Sequence, residues 1–170
     1  MTVTQSCRRN DANGRGSAIR YHAAIMPITI STDPARHDLD AIHRIVAGTY
    51  WSPNIRREVV EEALRNSITA VAIDESTGAT IGIARVVTDR ATFAWLCDVV
   101  VLEPWRGQGL SRRLIDELER HPSLQAVRRW CLATRDAEGL YEKFGSRRIP
   151  PERTWMEKQG PKERWQGNGT

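Results

Sequence analysis

Residues 99–111, VVVLEPWRGQGLS, join an apolar run that ends at Leu102 to a helix-like pattern that begins near Leu110, by way of Arg106, Gly107 and Gly109. A helix N-terminus presents unpaired backbone N–H groups and the positive end of the helix dipole. Glycines let the backbone turn sharply and approach a ligand with no Cβ in the way. A strand, Gly-x-Gly and helix in succession therefore make an anion site suited to phosphate. Arg106, Arg112 and Arg113 add positive charge nearby. No Gly-Lys-Ser/Thr follows, so the stretch is not a P-loop, and the missing third glycine excludes the dinucleotide fingerprint. The same glycines would also serve a tight strand-to-helix turn with no ligand, so the stretch alone leaves both roles open.

Hydrophobic spacing on either side supplies the framework. Asp33-Pro34 offers an N-cap and a first-turn proline, and Leu39, Ile42, Ile45, Val46 and Tyr50 recur at helical spacing. A second helix carries Val59, Val60, Ala63, Leu64 and Ile68 on one side. Residues 70–74, 80–89 and 92–102 then read as strands, the first two joined as an antiparallel hairpin at Ser76-Thr77-Gly78. The glycine loop comes next, followed by a helix with Leu110, Leu114, Ile115 and Leu118 that stops at His121-Pro122. Residues 127–135 read as a strand, AEGLYEKFG as a short helix capped by Asp136 and closed by Gly145, and RTWMEK (153–158) as a final edge strand. The expected order is α-α-β-β-β-α-β-α-β. The crossover makes 92–102 and 127–135 parallel neighbours, which predicts a mixed α/β (α+β) fold with helices covering the sheet.

With 170 residues, 40% hydrophobic and 27% charged, the chain has the makeup of an ordinary globular domain. The net charge of +4 sits in the ends: residues 1–25 carry +3, residues 157–170 carry +1, and 26–156 sum to zero. A basic nucleic-acid-binding face on the folded part is therefore not expected. We read 1–25 as a disordered extension, 26–158 as one domain and 159–170 as a flexible tail, with Met26 a natural domain start. Cys7, Cys97 and Cys131 are odd in number and show no CxxC spacing, so free thiols in a reducing compartment are expected. The histidines show no metal-ligand spacing, and no metal is expected. No apolar run is long enough to span a membrane and no secretory signal is visible, which makes the cytoplasm the default expectation.

The glycine loop, read as Arg106-Gly107-Gln108-Gly109-Leu110-Ser111, resembles the acetyl-CoA motif Gln/Arg-x-x-Gly-x-Gly/Ala of the GNAT N-acetyltransferase superfamily, with serine in the last place. GLYEKFG (139–145) is similar to that family's other recurrent segment, with Ser146 where phenylalanine is usual. The element order over roughly 28–157 matches as well. The resemblance implies a mostly antiparallel twisted sheet whose central parallel pair splays apart at the cofactor site. It further implies an enzyme that moves the acetyl group of acetyl-CoA to a primary amine by direct transfer. A catalytically silent acyl-CoA-binding sensor or regulatory module is the alternative.

Mapped onto this chain, the resemblance assigns Val99, Val100 and Val101 to the pantetheine arm. It assigns Arg106, Gly107, Gln108, Gly109, Leu110, Ser111 and Arg112 to the pyrophosphate, and Tyr141 to the general acid. Leu140, Tyr141 and Phe144 equally read as the core stripe of a short helix. Asp98 is the candidate base, because a carboxylate in an apolar run is costly unless it is partnered or faces a cavity. Pairing with Arg85 or Arg135 would instead make it structural. Strict alternation would put Leu96, Asp98 and Val100 on one face and Cys97, Val99 and Val101 on the other. Tyr50 and Trp51 fall where the family builds part of its acceptor pocket, and Trp51 also reads as core. Partners are thus acetyl-CoA and an amine acceptor. The family leaves a homodimer open, which no residue here marks.

Overall fold

The computed structural model describes residues 27–152, 155–158 and 161–167. The expected extension 1–25 and Met26 lie outside the described residues, as do 153 and 154 of the expected last strand. Five strands form one sheet in the order β1-β2-β3-β4-β5: β1 (Ile28–Ser31), β2 (Ile68–Asp74), β3 (Ala79–Thr88), β4 (Phe93–Val101) and β5 (Arg129–Cys131). All neighbours pair antiparallel except β4 and β5, which run parallel as the crossover requires. The helices are α1 (Leu39–Ala47), α2 (Arg57–Arg65), α3 (Leu110–Arg120) and the short α4 (Glu138–Glu142).

Hydrophobic alternation places helices on both faces. Along β2, Ile68, Ala70 and Ala72 pack with Leu110, Leu114, Ile115 and Leu118 of α3, whereas Val71 and Ile73 pack with Ile42, Ile45 and Val46 of α1 and Val60 of α2. Every residue of β2 is buried, as befits a strand covered on both sides.

Several local expectations are corrected. β1 was absent from the expected order, because four residues, ITIS, are too few for a two-residue period to stand out. It pairs Ile28 with Asp74 at the sheet edge. Asp33 caps only a 3-10 turn at Pro34–Arg36, and α1 starts later on its own cap, with the Asp38 carboxylate accepting from the Ala41 amide at 3.0 Å. Ile68, expected on the second helix, opens β2. Asp136 does not cap α4; Ala137 holds the N-cap position and makes no side-chain cap bond. Gly145 closes that segment in the left-handed region, φ 76°, as its position suggested. Residues 155–158 form no strand, although the Trp155 ring packs 5.7 Å from that of Trp95 on β4.

The segment 161–167, within the stretch expected as a tail, lies along the connection between α1 and α2. The Arg56 amide donates to the Trp165 carbonyl at 3.0 Å, the Gly167 amide to Asn54 at 2.8 Å, and the Gln166 side chain to Pro53 at 2.8 Å.

Candidate active site

Parallel pairing of β4 with β5 holds only from Phe93↔Arg129 to Trp95↔Cys131. Beyond Trp95, β4 continues to Val101 with β3 on one side and no strand partner on the other, among the described residues. The sheet is therefore open between its last two strands at the C-terminal ends of the parallel pair, a usual place for a ligand in such topologies. Where this opening begins, β4 is bulged. The register against β3 slips between Ile83 and Arg85, and Asp98 takes φ 51°. The bulge resets the alternation: Leu96, Val99 and Val101 all pack on the α3 side and Val100 on the α1–α2 side. The single-phase face assignment drawn from the sequence therefore fails at Leu96.

The glycine loop has the geometry of an anion cradle. Gly107 and Gly109 sit at φ 75° and 74°, a region that side-chain-bearing residues enter at a cost, and the space where a Cβ would stand is open at both. No side chain caps α3, and its first backbone bond is Arg113 N–H to Gly109 O at 3.1 Å. The amides of Gly107, Gln108, Gly109, Leu110, Ser111 and Arg112 consequently have no hydrogen-bond partner among the described residues. Arg106 falls outside this run. Its amide donates to Glu103 O at 3.1 Å and its Nε to Val101 O at 3.0 Å, so it braces the loop against the end of β4. Arg113 points away, donating to Ile28 O at 2.6 Å. Six clustered free amides at a helix start, with open space above them, fit a diphosphate.

Tyr141 lies on α4, whose following residues meet the start of α3. Arg112 sits over the Phe144 ring at 5.8 Å, which brings the start of α3 against the end of α4. Tyr141 is half-buried against the α3-side core together with Leu140 and Phe144, as the core-stripe reading of that segment expected. Its hydroxyl has no hydrogen-bond partner among the described residues, and Tyr141 lines a cleft of about 1160 Å³ with Trp130, Leu132, Thr134 and Phe144. Burial pushes its pKa above the ordinary tyrosine value, and the neighbouring Tyr50 and Asp136 push it further the same way.

The remaining predicted residues form a chain of contacts along a second wall, outside the lining of that cleft. Asp98 accepts from Arg85 Nε at 2.8 Å through one oxygen and from the Trp51 indole at 3.1 Å through the other. Arg85 and Asp98 are 16% and 11% exposed, and a cavity of about 60 Å³ lined by Ser52 and apolar α1 and α2 residues lies beside them. Trp51, read from the sequence as possible core, is 42% exposed and packs edge-on against Tyr50 at 4.8 Å. The Arg135 guanidinium stacks on the other ring partner, Tyr50, at 3.9 Å. Both arginines weighed as partners of Asp98 thus lie in this wall, one on the carboxylate and one on the aromatic. The position of Arg135 on Tyr50 had no signal in the sequence, since the two residues are brought together only by the fold.

Residues 65–145 match the Acetyltransferase (GNAT) domain family. A candidate acetyltransferase of Gibberella zeae is 30% identical over 135 residues, covering 67% of this chain and 75% of its own. Among solved structures, a candidate acetyltransferase of the GNAT family from Xanthomonas campestris pv. campestris is 38% identical with a TM-score of 0.73, over 80% of this chain and 96% of that one. An aminoglycoside N-acetyltransferase crystallised with CoA superposes with a TM-score of 0.61 at 16% identity, over 78% and 95%, which is a likeness of fold. Free amides after a splayed parallel pair, a bulged fourth strand and these similarities agree, and the chain belongs to the GNAT family of acetyltransferases.

Proposed function

We propose that this protein transfers the acetyl group of acetyl-CoA directly to a primary amine. The observation that carries the reading is the run of unpartnered amides from Gly107 to Arg112, whose last residue sits over the ring of Phe144, three residues after Tyr141. Acetyl-CoA would supply an acyl group already activated as a thioester. The Gly107–Arg112 amides would hold its diphosphate, and the open edge of β4 at Val99, Val100 and Val101 would run beside its pantetheine arm. Tyr141, whose raised pKa keeps its proton in place at neutral pH, would donate that proton to the departing thiolate.

Asp98 has both carboxylate oxygens engaged, so we assign it a positioning role: it fixes Trp51 and Arg85 rather than receiving the amine's proton. That proton leaves to solvent, from which the Tyr141 phenolate is reprotonated after thiol release. Direct transfer is favoured over a covalent acetyl-cysteine because burial pushes the Cys97 thiol up to about 12, leaving essentially no thiolate at neutral pH. Tyr50 and Trp51 would form part of the acceptor's pocket.

Replacing Tyr141 with Phe removes the proton and little else. Thiol release from acetyl-CoA with an amine panel should fall at least tenfold, while CoA affinity by calorimetry stays within twofold. Unchanged turnover would remove Tyr141 from the mechanism. CoA binding by the wild type with no amine acetylated would leave a silent CoA-binding module.

A further inference from the structure

The guanidinium of Arg135 is stacked on Tyr50 at 3.9 Å yet makes no hydrogen bond among the described residues. Its nearest acid is the adjacent Asp136 at 4.0 Å, beyond hydrogen-bond reach, and the two side chains are 66% and 72% exposed. The other carboxylate of this wall, Asp98, is already neutralised by Arg85. A stacked guanidinium gives up one face to the ring and keeps all its in-plane N–H donors, the fork that matches a carboxylate or phosphate. The stack also fixes the side chain before any ligand arrives, so less conformational freedom is lost on binding. Arg135 lies on the connection from β5 into α4, six residues before Tyr141.

We infer that Arg135, held on Tyr50, is a specificity-determining residue that binds an oxyanion carried by the amine acceptor, a carboxylate or a phosphate monoester. The acceptor is then an amine bearing its own negative charge, with the amine directed toward Tyr141 and the oxyanion toward Arg135. This rests on the transferase reading of the same site. A purely structural Arg135, clamping Tyr50 by cation–π attraction, would be indifferent to the acceptor's charge.

The test measures binding, so it is readable even if no acetyl group moves. Calorimetry, on the free protein and on protein saturated with CoA, compares ω-amino carboxylates with their carboxamides and aminoalkyl phosphates with the matching amino alcohols. At least one anionic series should bind about tenfold or more tightly than its neutral counterpart. The series that shows the gap identifies the oxyanion. In Arg135→Gln the gap should close to within twofold, with CoA affinity unchanged. Tyr50→Leu, which removes the platform but not the charge, should narrow the gap partway. Equal binding of charged and neutral partners, no binding of any anionic amine, or a gap that survives in Arg135→Gln would each overturn the assignment. Failure of acetyl transfer to an amine that does show the gap would count against the transferase reading alone.

Discussion

Asp98 concentrates several physical demands in one side chain. It stands at φ 51°, ion-paired to Arg85 and accepting from Trp51, in a setting where both charged partners are mostly shielded from water. Asparagine tolerates the left-handed region about as well as aspartate, so Asp98→Asn removes the charge with little added backbone strain. What remains is a shielded Arg85 without its counter-ion, a situation that typically costs about 3 kcal/mol. Urea denaturation should show that loss for Asp98→Asn, and most of it should return when Arg85→Met is added. A single variant as stable as wild type would mean that water already satisfies Arg85. Asp98 was visible in the sequence as a carboxylate needing a partner, with Arg85 and Arg135 both available. The sheet register decides between them: Arg85 faces Cys97, next to Asp98, and Arg135 is carried past it to Tyr50. No pattern in one sequence encodes that choice, because it depends on where β3 and β4 slip.

Turns and short elements separate what the chain's local chemistry announces from what only pairing reveals. The glycine loop and α3 were legible because glycine at left-handed φ and a helical apolar stripe are local signals. β1, four residues long, was not, since its existence depends on the β2 edge that receives it. The bulge in β4 was equally hidden, as an extra residue leaves the composition of an apolar run unchanged. Two turn carboxylates make a pH prediction of their own. At the β3–β4 turn Asp89 accepts from the Thr92 hydroxyl and the amides of Ala91, Thr92 and Phe93, and at the β2–β3 turn Asp74 accepts from the Ser76 and Thr77 hydroxyls and the Ser76 amide. These bonds, side-chain hydroxyls foremost, hold both carboxyls below the ordinary aspartate value. A group whose pKa is lower folded than unfolded contributes stability above its unfolded value, about 4, and loses it as pH falls. Unfolding free energy should therefore decline as pH drops below about 4. Asp89→Asn, which keeps an acceptor but cannot titrate, should flatten that decline in a pH series of denaturation curves. An identical acid slope in the variant would show that Asp89 is not among the groups responsible.

Sequence-distant parts of the chain converge on the wall that carries Tyr50 and Trp51, and the far C-terminal segment is one of them. Tyr50 and Trp51 follow α1, and the backbone just after them is held by 161–167: Ile55 bridges to Gln166, the Arg56 amide reaches Trp165 O, and the Arg56 guanidinium reaches Arg164 O at 2.5 Å. Nothing in the polar composition of these last residues signalled the contact, because the bonds are mostly to main-chain atoms, which composition does not report. The connection they brace is poor in secondary structure, so it depends on such bonds for its order. Among the described residues no hydrogen bond links 161–167 to the Gly107–Arg112 run. Truncation after residue 160 should consequently act on one side of the reaction. The Arg56 amide loses its acceptor and should exchange with solvent at least tenfold faster. KM for the amine should rise severalfold as Tyr50 and Trp51 lose their support, while KM for acetyl-CoA stays within twofold. Hydrogen exchange and steady-state kinetics on the same truncated protein separate the possibilities. Equal losses for both substrates would point to general destabilisation, and unchanged exchange at Arg56 would show that the α1–α2 connection holds its shape without the segment laid against it.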